Sequence, residues 1–319
     1  MKLGKILGYF ISNSPIYFFP KADNICQPYS CFSAITHTYE AGTYYLKIDG
    51  KCETLGFPGN KNLIEVISWG DPNVTGLAYV KFYACVNLEK LPNESGGLKF
   101  VEDFTSSFIK CSGLKSIPSG LFKYNTIVTS FQGVFYGCTS LTSVPSGLFD
   151  DNVNVIDFTS VFFGCTSIET IPIGLFKYNT LVTTFVQSFY QNTALKSIPS
   201  GLFDNNTIVT NFSYTFYECS SIVNLPTGLF DYNTIVTNFS FTFQDCISLE
   251  NLPFDLFDNN LLVTDFKNTF SICVSLTGTA PTLWESPWTA VTSGDSCFSN
   301  CTGLSNYYTG PNQIPGTWK

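Results

Sequence analysis

Cys111, Cys138, Cys165, Asn192, Cys219, Cys246 and Cys273 follow one another at intervals of 27 residues, and this period constrains the fold more than any other feature of the chain. Cys85 lies 26 residues before the series and Cys301 28 residues after it, so nine turns are expected. Three residues before each member stands Phe108, Phe135, Phe162, Phe189, Phe216, Phe243 or Phe270. Two further Phe columns keep the same phase, one from Phe104 to Phe266 and one from Phe122 to Phe257. The consensus reads F-x3-F-x2-C-x2-L-x2-I-P-x-G-L-F-x2-N-x2-V-T. A unit this short cannot bury its own apolar side, so successive units must stack and bury it against each other. Coils whose strands pair lie about 4.8 Å apart, which turns each column into a ladder of like side chains and makes nine turns span roughly 40 Å.

The reading is therefore a β-rich repeat solenoid. Composition agrees: 16% aromatic and 13% charged residues suit a turn-rich β architecture and not long amphipathic helices. A short strand is predicted from the Leu column (Leu114 to Leu276) to the Ile column (Ile117 to Leu252), ended by prolines such as Pro118 and Pro145 that cannot donate to a ladder. Residues 1–60 are expected to form an N-terminal β-rich cap or attachment segment, 61–276 the solenoid, and 277–319 a C-terminal capping repeat with an insertion.

Two columns carry polar chemistry. Asn125, Asn152, Asn179, Asn206, Asn233 and Asn260 recur at the bend before the V-T step without exception. An amide has two donors and two acceptor lone pairs, so an inward Asn is expected to tie the turn backbone both of its own coil and of the next. The cysteines of the repeat (Cys111, Cys138, Cys165, Cys219, Cys246, Cys273) invite a metal or disulfide reading. Asn192 replaces one member without disturbing its surroundings, so they are read as free structural thiols and no metal site is expected. Cys297-x3-Cys301 and Cys26-x4-Cys31 are weaker candidates for disulfides. Many free thiols also suit folding in a reducing compartment.

Catalysis has little to work with. His37 is the sole histidine, and it sits in a strand-like stretch of the N-terminal segment. Asp150, Asp204, Asp231 and Asp258 share one column with Lys123 and Lys177, which reads as a solvated stripe and not a paired acid and base. No phosphate loop or nucleophile elbow occurs, so neither enzyme activity nor a cofactor is expected. A net charge of −8 with 16 scattered Lys and Arg disfavours nucleic acid and acidic membranes. No run of about 18 apolar residues is present, so no membrane-spanning helix is expected. Lys2 and Lys5 precede an apolar run at Ile6–Ile11, but Asn13, Ser14 and Pro15 interrupt it and no small-x-small cleavage site follows. A signal peptide is not expected.

The unit F-x2-C-x2-L-x2-I-P resembles the BspA-like leucine-rich repeats of bacterial surface proteins. Residues 37–48 (HTYEAGTYYLKI) are similar to the closing strands of PKD-like β-sandwich modules, Leu63 to Gly70 resembles the start of a first repeat, and Cys297 to Asn306 with Ile314, Pro315 and Trp318 a terminal one. The resemblance covers residues 36–319. It implies a leucine-rich-repeat solenoid serving adhesion or interaction at a cell surface, or in a bacteriophage particle, with a protein or glycan receptor.

Function in a solenoid sits at outward positions. Between the Leu and Ile columns these are Lys115, Glu169, Lys196 and Glu250; between the Phe columns Tyr214 and Phe241 stand where other coils carry Gly133, Ser160 or Gln187; Tyr124, Tyr178 and Tyr232 form an intermittent row. Exposed tyrosines among Ser, Thr and Asn suit protein or glycan recognition. The chain is thus expected to be a binding module on a virion or cell surface, folded in the cytosol. The alternative is a passive structural subunit docked through residues 1–35.

Overall fold

The computed structural model describes the backbone of residues 2–10, 14–20, 35–39, 42–49 and 52–56, and residues 58–319 apart from 62, 70–78, 94 and 311. The first third holds the strands: β1 (Lys2–Phe10), β2 (Ser14–Pro20), β3 (Ile35–Tyr39), β4 (Gly42–Asp49), β5 (Cys52–Gly56), β6 (Leu63–Ser68) and β7 (Tyr79–Lys81). They form two sheets, ordered β4-β1-β6 and β3-β2-β5-β7. The apolar run examined for export thus lies largely in β1, which is antiparallel to both β4 and β6. The stretch compared with PKD-like modules folds as β3 and β4, which join different sheets.

The two sheets hand their edges to the solenoid. Glu65 of β6 bridges Lys90 in parallel, and Tyr79 of β7 bridges Asp103. From there the backbone bonds run coil to coil. Thr183 N donates to Ile156 O, Thr210 N to Thr183 O and Thr237 N to Thr210 O, at 2.9 to 3.0 Å.

The strand predicted from the Leu to the Ile column does not form. Among the described residues, the Leu-to-Ile segment pairs through single parallel bridges, Thr170 with Ser197 and Asn224 with Asn251, and not as a continuous strand. The denser bonding lies in the F-x3-F-x2-C segment. Ser160, Phe162 and Gly164 donate to Val186, Ser188 and Tyr190 of the following coil, at 2.9, 2.9 and 2.7 Å. The residue after each of them, Val161, Phe163 and Cys165, donates within its own coil to Phe158, Ser160 and Phe162. This alternation needs left-handed backbone twice per coil: Gly133 and Gly137, Ser160 and Gly164, Gln187 and Gln191, Tyr214 and Glu218, Phe241 and Asp245 all have φ between 55° and 69°.

The Phe columns stack as expected. Phe108 and Phe135 lie 5.7 Å apart at 9°, Phe131 and Phe158 6.0 Å at 13°, Phe149 and Phe176 6.1 Å at 12°. Tilted contacts such as Phe131 to Phe149 at 4.9 Å lock one column against the next. All are fully buried, each contributing about 1.5–3 kcal/mol of burial. At the far end the turn Gly316–Trp318 supplies the acceptors of a further coil: Ser296 N donates to Thr317 O and Phe298 N to Trp318 O.

Candidate interaction surface

The two polar ladders are used up by the fold. Each column Asn donates both Nδ2 protons backwards: Asn179 to Phe149 O at 3.0 Å and to Asn152 O at 2.9 Å. The expected tie to its own coil does not form. Both bonds reach the preceding coil, and the buried Oδ1 atoms have no protein partner among the described residues. The thiols behave likewise, Cys138 donating to Phe108 O at 3.2 Å and Cys165 to Phe135 O at 3.1 Å. Burial pushes every described thiol up, Cys165 from 9.0 to about 12. Cys297 and Cys301 are two free buried thiols and not a disulfide. Cys26 and Cys31 lie outside the described residues. Protonated, sealed thiols survive in either redox compartment, so their being unpaired does not point to a reducing one. Among the described residues no group of three or more His, Cys, Asp or Glu could hold a metal ion. His37 lies in β3, paired with Ile16.

The outward candidates separate into three surfaces. Lys115 pairs with Glu89 at 2.7 Å and Lys196 with Glu169 at 2.6 Å, all exposed but for a half-buried Glu89. Such pairs are worth about 0–1 kcal/mol and describe a solvated face; Glu250 is exposed on the same stripe. Tyr124, Tyr178 and Tyr232 are exposed, on alternate coils. Lys123 lies 5.7 Å from the Tyr124 ring and Lys177 5.1 Å from that of Tyr178.

The third surface is larger than the sequence suggested. Tyr214 and Phe241 stack at 4.4 Å and 4°. Beside them runs a second column, Tyr136, Phe163, Tyr190 and Tyr217, stacked at 4.2, 4.2 and 4.5 Å with planes within 9°. Tyr214 joins the two, 6.3 Å from Tyr190 and 5.8 Å from Tyr217. This column was missed because it lies between the conspicuous second Phe and the Cys; a phase-by-phase count of aromatics would have found it.

All six rings are half-buried. Their faces cover one another, leaving edges and hydroxyls to solvent. Burial raises the phenol pKa of Tyr190, Tyr214 and Tyr217, and nearby carboxylates reinforce it: Glu218 at Tyr190, Asp265 at Tyr214, Asp245 and Glu218 at Tyr217. The phenols therefore stay protonated and can donate. Gln191 Nε2 holds Glu218 at 2.8 Å and Gln244 Nε2 holds Asp245 at 3.1 Å, forming a fixed acidic rim.

No protein-family model matches the chain, and no curated protein matches it in sequence. Among solved structures it is similar to a leucine-rich cell surface protein from Faecalibacterium prausnitzii A2-165, at 16% identity over 85% of this chain and 92% of that one, with a TM-score of 0.29. It is also similar to a leucine-rich repeat protein from Eubacterium ventriosum ATCC 27560 (17% identity, 82% and 61% coverage, TM-score 0.25). A third is the Toll–Spatzle complex of Drosophila (15% identity, 77% and 38% coverage, TM-score 0.26). None of these supports a PKD-like N-terminal segment. The solenoid assignment rests on the backbone and Phe ladders described above.

Proposed function

We propose that the chain is a non-enzymatic binding module on the outer surface of a bacterium or phage particle, and that it recognises a protein through the aromatic strip from Tyr136 to Phe241. Residues 1–60 serve as cap and attachment segment, 61–276 as the display solenoid and 277–319 as its closing cap.

One observation carries this reading. Tyr214 and Phe241 occupy left-handed positions at φ 59° and 61°, a conformation that costs a non-glycine residue on the order of 1–2 kcal/mol. Gly133 fills the same column at φ 59°. The coil gains nothing in backbone energy from aromatics there, and their mutual stack returns about 0.5–1.5 kcal/mol. Their placement is better explained by what they meet outside the chain. Covered ring faces leave no platform for a sugar ring within the strip. Ring edges, phenolic donors and the Glu218–Asp245 rim suit a protein surface carrying acceptors and basic side chains. The stripe of Lys115, Glu169, Lys196 and Glu250 is read as solvated.

Binding of the purified full chain to bacterial cells, with and without protease treatment of those cells, tests the reading. Tyr214→Ser combined with Phe241→Ser copies Ser160 of the same column. It is expected to weaken binding about tenfold or more while leaving the thermal midpoint nearly unchanged. Binding that survives both substitutions and protease sinks the protein-partner reading; no binding to any cell favours a passive structural subunit.

A further inference from the structure

A different edge of the solenoid, the one carrying the Asn bend, exposes an apolar ridge that the binding strip does not use. Two residues beyond the column Asn stand Ile127, Leu181, Ile208, Ile235 and Leu262, each between 39% and 56% exposed, with Asn154 as the one break. One residue before the column Asn stand Tyr124, Tyr178 and Tyr232, 47%, 47% and 58% exposed. With roughly 150–250 Å² for each tyrosine and somewhat less for each Ile or Leu, about half of it exposed, these residues leave on the order of 600–700 Å² in water. That exceeds the largest apolar patch of most monomers and approaches the roughly 800 Å² that each partner buries in a standard interface.

The pattern along the ridge identifies the occupant. Over six consecutive coils the tyrosine column reads Tyr124, Asp151, Tyr178, Asn205, Tyr232, Asn259. The column before it reads Lys123, Asp150, Lys177, Asp204, Asp231, Asp258. If the order is reversed, as a two-fold axis between the third and fourth coils would do, every tyrosine meets a small polar residue: Tyr124 with Asn259, Tyr178 with Asn205, Tyr232 with Asp151. In the same register Lys123 meets Asp258 and Lys177 meets Asp204, with Asp150 and Asp231 the one like-charged pair. A parallel in-register pair would instead set Tyr against Tyr and Lys against Lys.

We infer that this edge is an isologous interface on which a second copy of the chain packs antiparallel. Knobs and gaps alternate with the coil, and the basic and acidic ends of the ridge are complementary only after reversal. A closed two-fold contact also uses up the ridge, whereas a parallel pair shifted by one coil would propagate into a filament.

The test exploits a pair that cannot meet within one chain. Lys123 and Asp258 are five coils apart, about 24 Å at the usual strand spacing, and both side chains are exposed. Each residue type already occurs elsewhere in their column, so neither substitution disturbs the fold. Sedimentation of the full chain over a range of concentrations is expected to show a monomer–dimer equilibrium. Lys123→Asp should weaken it about tenfold, the scale of a lost interfacial charge pair; Lys123→Asp with Asp258→Lys should restore it, and Ile208→Lys, near the axis, should abolish it. Monomer throughout, a dimer indifferent to Ile208→Lys, open-ended growth, or failure of the double swap to rescue would each overturn the proposal. Because the binding strip is untouched, cell binding by the Ile208→Lys monomer separates this outcome from failure of the binding reading.

Discussion

Asn192 donates its side-chain N–H to the carbonyl oxygen of Phe162 at 3.0 Å. One coil later the thiol of Cys219 makes the same bond to Phe189 at 3.1 Å. The column therefore calls for a small buried residue that aims a donor at that one carbonyl, and that is why Cys and Asn exchange there. Asn192 also buries an Oδ1 with no protein partner, a liability that a thiol lacks. Asn192→Cys is expected to raise stability by about 1 kcal/mol, and Asn192→Ala to lower it by about 0.5–1.5 kcal/mol, because the Phe162 carbonyl loses its side-chain donor and keeps only the Cys165 N–H. Urea-denaturation midpoints decide between these signs.

The neighbouring ladder sets a stricter requirement. Asn179 gives a second donor to two carbonyls at once, those of Phe149 and Asn152, which also accept the N–H groups of Asn152 and Val155. A thiol has one donor and can serve only one of them. Asn179→Ala should cost about 1–3 kcal/mol and Asn179→Cys about half of that. The contrast is the point: cysteine improves position 192 and damages position 179. Equal responses at the two sites would refute the donor-counting account of why this column never varies.

How much of this was legible in the sequence depends on whether a residue repeats. The Phe, Leu, Asn and Cys columns recur in nearly every coil, so their burial and ladder roles could be read from phase. The strand assignment failed because the Leu-to-Ile segment lacks the period-two alternation of a strand: Leu195 and Ile198 are buried three residues apart with Lys196 and Ser197 both outward, and the segment pairs only by single bridges. The left-handed alternation of the F-x3-F-x2-C segment was hidden because glycine, its usual marker, appears only at Gly133, Gly137 and Gly164 within those columns. The Tyr136–Tyr217 column stayed unread for a related reason. Its members change between Tyr and Phe and then give way to Gln244, so nothing marks them as a set until the rings are seen to touch.

Ile272 illustrates what that hidden requirement costs. It has φ 63°, a conformation that a β-branched side chain tolerates poorly. The next coil places Asn300 in the equivalent position, also at φ 63°. Asn accepts left-handed backbone more readily than other L-residues with a Cβ. Ile272→Asn is expected to raise stability by about 1 kcal/mol, less whatever apolar contact the half-buried isoleucine makes, and a rise in thermal midpoint would confirm the sign.

Alkaline pH should attack the solenoid through its core. Burial holds Cys85, Cys165 and Cys301 protonated to about 12, against 9.0 for an ordinary thiol, and raises the remaining described thiols as well. The native state thus binds protons more tightly than the unfolded chain. The associated stability is fully present below pH 9 and is lost as pH rises towards 12. Each pH unit in that window removes about 1.4 kcal/mol per thiol, and the thiols share one core, so their losses accumulate. Unfolding should therefore be cooperative and begin between pH 9 and 10, well short of the folded pKa of any single thiol. Circular dichroism against pH measures it. Replacing Cys165 and Cys246 with Asn, which fits this column at position 192 and does not titrate, should shift the transition to higher pH. A midpoint unmoved by those substitutions would mean that the tyrosines, and not the thiols, govern alkaline loss.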